Sequence, residues 1–259
     1  YIPGARESIG ESALPDGAAW YAFDARESTT TNLTPKEIHA IGALEVARID
    51  DEMTALRGKI GFKGDKKAFG EFLRNDPRFY YKTADELLAG YRDFCKRVDP
   101  ELPRFFGKLP RLTYGVKPVP DFVADAKPTA YYEQGSPAAG RAGYFFANTS
   151  HVEQRPKWEM EVLALHEAVP GHHLQIALAQ EMEEKPELLR ERSYTALVEG
   201  WALYCEGLGK EMSFYQDPYS DYGRLTYEMW RAVRLVVDTG IHAQGWTRQQ
   251  AIDYFREHT

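Results

Sequence analysis

The run Leu165-His166-Glu167-Ala168-Val169-Pro170-Gly171-His172-His173-Leu174-Gln175 constrains this chain more than any other stretch. Three of the seven histidines fall within eight residues, with a carboxylate directly after the first. Neutral imidazoles bind zinc, and a neighbouring Glu can act as general base on water that zinc has activated. The run is not a regular H-E-x-x-H, because Pro170 stands where the second histidine would be. On a straight helix His166 and His172 are about 600° apart in rotation, and His166 and His173 are about 10.5 Å apart along the axis. Neither pair can share an ion whose bonds to nitrogen are about 2.0–2.1 Å. Pro170 removes a backbone donor and Gly171 permits unusual torsions, so the helix is expected to kink or bulge there. Looping out two residues brings His172 into the second ligand position. His173 is the alternative. A kinked helix with buried, hydrogen-bonded histidines is the bland reading of the same run.

A catalytic zinc takes three protein ligands and keeps a fourth position open. Downstream, apolar residues at 197, 198, 201, 204 and 205 follow helical spacing, and Glu199 and Glu206 interrupt them. The two are seven apart and share a face. A carboxylate among apolar neighbours needs a partner. Glu199 is therefore the expected third ligand, and Glu206 the group expected to orient a ligating histidine.

At these residues the chain resembles a large bacterial family catalogued as domain of unknown function 885. That family carries the same His-Glu-Ala-x-Pro-Gly-His-His-Leu-Gln and Glu-Gly-Trp-Ala-Leu-Tyr stretches. The likeness extends to Tyr1-Ile2-Pro3-Gly4-Ala5-Arg6, to Thr34-Pro35-Lys36-Glu37-Ile38-His39 and to the segment from Arg231 to His242. More distantly, the pattern is similar to the helical zinc peptidases of the thimet-oligopeptidase and carboxypeptidase Taq type. Those place a Glu ligand on a later helix, about where Glu199 stands, 27 residues after His172. The resemblance implies a mainly α, zinc-peptidase-like domain with a single zinc. It also implies a C-terminal half whose N-terminal half lies outside the chain and packs against it, and an extracytoplasmic (periplasmic or lipoprotein) location.

Composition narrows the alternatives. The 259 residues carry a net charge of −7, against the basic balance of a nucleic-acid binder. Two cysteines, Cys95 and Cys205, are too few for a disulfide framework. No apolar run approaches the roughly 20 residues of a membrane span.

The expected organisation is one domain over residues 1–259, with residues 1–33 as an extended lead-in. A helix capped by Thr34 should run to about Leu56, with Ile38, Ile41, Leu44, Val46 and Ile49 near one face. Further helices are expected at Lys67–Asn75, Ala84–Val98, about Arg155–Glu183, and near 187–213, 223–243 and 247–257. A proline-punctuated, non-helical connection fills 100–120. Residues 130–133 and 143–148 should form a small antiparallel hairpin near the metal helix.

Tyr144, Phe146 and Asn148 on that hairpin are candidates for holding an extended peptide; a plain capping hairpin is the alternative. His242 and Tyr222 are candidates for an oxyanion donor. Arg231 or Arg234 could grip a substrate carboxylate, and Arg234–Asp238 could equally brace its own helix. The whole reads as a zinc metallopeptidase: His166, His172 and Glu199 hold the metal and Glu167 moves the proton. A metal-dependent hydrolase of another amide or ester is one alternative, and a metal-free peptidase-like binding domain is the other.

Overall fold

Caps and apolar spacing set most of the helices. The computed structural model describes residues 4, 6–182, 186 and 193–259. The Thr34 N–H donates to Glu37 Oε2 (2.8 Å) and the Glu37 N–H to Thr34 Oγ1 (3.3 Å). This reciprocal box starts a helix (α2, Pro35–Ile60) that runs four residues beyond the expected end. Asp65 and Thr83 cap α3 (Lys66–Asn75) and α4 (Ala84–Val98) by accepting the Ala68 and Glu86 N–H groups, and Thr247 with Gln250 forms a second reciprocal box on α11 (Arg248–His258).

Two compact units result where the sequence led us to expect one domain: Tyr1–Lys59 with Leu225–Thr259, and Ile60–Arg224. In the first, the expected lead-in contains a helix, α1 (Gly17–Thr29). Its alanines favour helix and its Gly17, Tyr21 and Ala25 are buried; the Gly, Ser, Pro and Thr residues around it obscured the pattern. On α2 the buried stripe is Ile38, Gly42, Val46, Ile49, Met53 and Leu56. Ile41 and Leu44 are exposed instead, because a stripe at spacings of three and four through Gly42 leaves them on the other side. The Arg48 guanidinium meets Glu45, Glu52 and Glu228. The Tyr21 hydroxyl donates to Asp238 Oδ2 at 2.7 Å, on the helix α10 (Pro218–Gln244).

Among the described residues, the second unit holds α3, α4, two one-turn helices (α5, Leu102–Phe105; α6, Asp121–Ala124), a sheet and three later helices. The sheet is three-stranded and mixed: β1 (Tyr114–Pro118), β2 (Ala130–Glu133) and β3 (Gly143–Ala147), in the order β1-β3-β2. The expected hairpin is β2–β3, antiparallel with Tyr131 opposite Phe146. The third strand was not expected. β1 lies in the proline-rich connection and pairs parallel to β3, Val116 beside Phe145. Five residues between Thr113 and Val119 sufficed, because a strand needs only a partner for its backbone and not a long apolar run. Phe145 points into the core, edge-on to Tyr91 of α4 with ring centroids 5.1 Å apart.

The long helix expected at 155–183 is broken. α7 (Met160–Glu167) and α8 (His172–Gln180) are separated by residues 168–171. Of the helix expected near 187–213, the described part is α9 (Thr195–Glu211); residues 187–192 lie outside the described residues. No described helix is long and apolar enough to cross a membrane.

Asn148 anchors the end of the hairpin. Its Nδ2 donates to the carbonyls of Ala124, Lys127 and Pro128, and its Oδ1 accepts from the Ser150 N–H and hydroxyl. Leaving such buried groups unmatched costs about 1–3 kcal/mol. Asn148→Leu should destabilise the chain by about that much in urea unfolding. An unchanged midpoint would show that the contacts contribute nothing.

Candidate metal centre

His166 and Glu167 are the last two residues of α7, both buried. The chain then leaves the helix. Ala168 has φ −95° and ψ −112°, the Val169–Pro170 bond is cis, and Gly171 has φ −70° and ψ −131°. The break is four residues, not the expected two. It folds back over the helix it has just left: a Cβ on Gly171 would lie 1.9 Å from the His166 carbonyl oxygen and 2.4 Å from that of Leu165. Only glycine fits so close an approach. α8 begins at once with His172.

This return brings together side chains that a straight helix would separate. The His166 and His172 ring centroids are 4.6 Å apart. Glu199, on α9, reaches both rings: Oε2 is 3.7 Å from His166 Nε2 and Oε1 is 3.6 Å from His172 Nε2. Ligand atoms around a tetrahedral ion with bonds of about 2.0–2.1 Å sit about 3.3 Å from one another. Each Glu199 oxygen is within a few tenths of an ångström of that spacing from one histidine nitrogen, and two imidazoles with a carboxylate are a donor set whose chemistry fits zinc. Glu167 also belongs to the cluster, since ligand atoms of His166, Glu167 and His172 lie within 4.8 Å of one another. Its Oε2 is farther from His172 Nε2, at 4.0 Å. We therefore assign Glu199 as the third candidate ligand and leave Glu167 beside the site.

Glu206, one face-sharing step along α9, is 1% exposed and accepts from His166 Nδ1 at 2.7 Å. An ionised carboxylate only accepts, so in this pair Nδ1 is the donor and Nε2 is the ring nitrogen turned toward Glu199.

His173 takes a separate path. Its Nδ1 meets the Tyr132 hydroxyl (2.9 Å) and its Nε2 the Leu112 carbonyl (3.0 Å), so both nitrogens are used. Burial pushes its pKa down to about 4. Glu181, just past α8, accepts from the Arg111 and Leu112 N–H groups (2.8 and 3.0 Å). His173 thereby joins β2, the segment before β1, and α8. It is a structural histidine, and His172 is the one beside His166.

The other candidates have surroundings of their own. β3 is the central strand, so its main-chain groups are taken by β1 and β2, and it has no free edge for a peptide; this corrects the expectation for Tyr144, Phe146 and Asn148. Tyr144 lies under Lys117 Nζ (3.4 Å to the ring centroid), Phe146 stacks on Tyr131, and Asn148 is the hairpin anchor. Tyr222 is buried edge-on against Phe69, with centroids 4.8 Å apart. His242, Arg231 and Arg234 belong to the first unit. There His242 stacks on Tyr21 and its Nδ1 accepts from the Glu11 N–H (3.2 Å), and Arg234 sits 4.9 Å over Trp230.

Sequence reasoning gave no role to Trp201. Its indole N–H donates to the Pro170 carbonyl at 2.8 Å. It stands two residues after Glu199 and Pro170 two before His172, so this bond ties the two ligand-bearing elements together. Its place inside a quoted motif was the available signal.

Comparisons agree with this arrangement in fold and give no activity. The family model described as "Bacterial protein of unknown function (DUF885)" matches residues 1–259. A solved structure described as "The crystal structure of the putative lipoprotein from Colwellia psychrerythraea" is similar, with a TM-score of 0.94 and 37% identity. The match covers 100% of this chain and 45% of that one, so this chain spans less than half of its length. No curated protein matches.

The close approach at Gly171 is testable. Gly171→Ala forces backbone apart and should cost about 3 kcal/mol, the upper range for overpacking. Gly200→Ala, in open space on α9, should be neutral or gain up to about 1 kcal/mol. Thermal unfolding of both variants distinguishes the cases; equal midpoints would mean the break relaxes freely.

Proposed function

Because the chain belongs to the bacterial DUF885 family over residues 1–259, and that family's description names no activity, we propose a function from the site itself: zinc-dependent hydrolysis of peptide bonds. The supporting observation is the convergence of His166 Nε2, His172 Nε2 and both Glu199 oxygens, with Glu167 alongside. Zinc held by those three residues would polarise the scissile carbonyl and lower the pKa of a nearby water.

The protein's own groups do the rest. Glu206 orients His166 through Nδ1. Glu167, adjacent to the ligands and shielded from solvent, accepts a proton from the attacking water as its oxygen bonds the carbonyl carbon. It returns that proton to the nitrogen as the C–N bond breaks. An extended peptide finds main-chain partners at a sheet edge, and the edge strands are β1 and β2. β2 is favoured, because its Tyr132 is bonded to the residue next to His172. The motif pattern that suggested helical zinc peptidases from the sequence points the same way, and the lipoprotein description of the similar structure agrees with an extracytoplasmic setting.

Glu167→Gln is the decisive variant. Cleavage of a peptide library, followed by mass spectrometry, should fall at least about 100-fold while zinc content stays at the wild-type level. Full cleavage by Glu167→Gln would remove the general base from the mechanism. Wild-type protein that holds no zinc after reconstitution would remove the metal. Cleavage confined to ester or non-peptide amide probes would move the substrate class.

A further inference from the structure

The segment after α9 contains two left-handed residues that are not glycine: Ser213 (φ 63°) and Tyr215 (φ 60°). The first is accounted for by the helix end. The Ser213 N–H bonds the Lys210 carbonyl (3.1 Å) and the Phe214 N–H bonds the Gly209 carbonyl (2.8 Å), the paired bonds of a Schellman stop. That stop needs one left-handed residue. Tyr215 is a second, and for a bulky side chain this conformation is an outlier. Such strain persists only where the surroundings over-determine it, and it gathers at working sites.

The hydrogen bonds that Tyr215 donates reach the two helices of the metal centre. Its N–H donates to Glu161 Oε2 on α7 at 2.7 Å. Its hydroxyl donates to the main-chain carbonyl of Glu206 on α9 at 2.8 Å. Its ring lies so close to α9 that a Cβ on Gly209 would meet Tyr215 Cε2 at 2.7 Å and Leu165 Cδ1, on α7, at 2.5 Å. Tyr215 is buried, and burial raises the Glu161 carboxyl above its ordinary value. One residue therefore bridges the helix bearing His166 and the helix bearing Glu206, whose side chains meet at 2.7 Å.

We propose that Tyr215 is a positioning residue for the metal centre: a clamp between α7 and α9 that holds the His166–Glu206 hydrogen bond and so the direction of His166 Nε2. The inference rests on the metal reading above. It requires that the hydroxyl act through Glu206, which a mere helix-packing role does not.

The test is a double-mutant cycle on the full chain, with Co²⁺ as the probe, read by competition with a chromophoric chelator and by the visible absorption of the bound ion. Glu206→Gln, which exchanges the charged acceptor for a neutral amide, should weaken Co²⁺ binding about 10- to 100-fold, as for loss of a charge-assisted hydrogen bond to a ligating histidine. Tyr215→Phe, which keeps the ring and removes the hydroxyl, should weaken it about tenfold and change the absorption bands. The double variant should bind no worse than Glu206→Gln alone. Unchanged affinity and bands in Tyr215→Phe would overturn the inference, as would a loss that adds in full to that of Glu206→Gln. Glu161→Leu, which releases the Tyr215 N–H from α7, repeats the cycle by a second route if Tyr215→Phe does not fold, with the same expected and opposing results. Wild-type protein with no affinity for Co²⁺ or Zn²⁺ would overturn the metal reading and this inference together. A wild type that binds, beside an unaffected Tyr215→Phe, would overturn the inference alone.

Discussion

The arrangement of the site depends on one close approach of backbone to backbone. Gly171 passes so near the last turn of α7 that a Cβ would overlap the His166 carbonyl oxygen. Because the chain turns back there, α8 starts beside the end of α7, and His172 faces His166 at a centroid distance of 4.6 Å. A straight helix would turn the two rings away from each other by well over a right angle. Three contacts span the break. The Ala168 N–H still reaches Ala164, the His173 N–H bonds the Ala168 carbonyl, and the Pro170 carbonyl takes the Trp201 indole N–H. Trp201 therefore closes the gap that Pro170 and Gly171 open, and it brings the Glu199 helix with it.

Two adjacent histidines acquire opposite tasks from that geometry. The side chains of His172 and His173 leave the first turn of α8 about 100° apart. One meets His166 and Glu199; the other enters the sheet side and is satisfied by Tyr132 and Leu112. Burial holds His173 neutral, with a pKa of about 4. A neutral imidazole has one donor and one acceptor, and here both are used. The bland reading of buried, hydrogen-bonded histidines thus applies to His173 and not to its neighbour. The sequence position alone could not separate them, because the partners come from residues some 41 and 61 positions away in the chain.

What was legible in the sequence was local. Thr34 announced a helix start because a cap is a contact within a few residues. The Pro-Gly step announced a broken helix, and the shared face of Glu199 and Glu206 on α9 was read from spacing alone. What was not legible was long-range. β1 is defined by pairing with a strand that starts 29 residues later, Tyr114 with Gly143. The place of β3 at the centre of the sheet followed from that pairing, and it removed the edge on which the peptide candidates had been placed. α1 was missed for a different reason: its alanines carry little apolar contrast, so no periodicity stood out. Tyr215 had no signal at all among sixteen tyrosines.

The buried His166–Glu206 pair bears on why the site has this form. Glu206 is 1% exposed, and removing an ionised carboxylate from water costs several kcal/mol even after relaxation. One hydrogen bond to a charged group contributes about 1.5–3 kcal/mol. The sum does not favour the pair as a source of stability; an apolar residue among Ala202, Cys205 and Leu208 would serve the core as well. What Glu206 supplies that an apolar residue cannot is a fixed proton on Nδ1 and a fixed direction for Nε2, and that direction is toward Glu199. A core position that carries this cost beside two other buried ionisable groups, His172 and Glu167, is what the proposed metal reading requires of a group that orients His166.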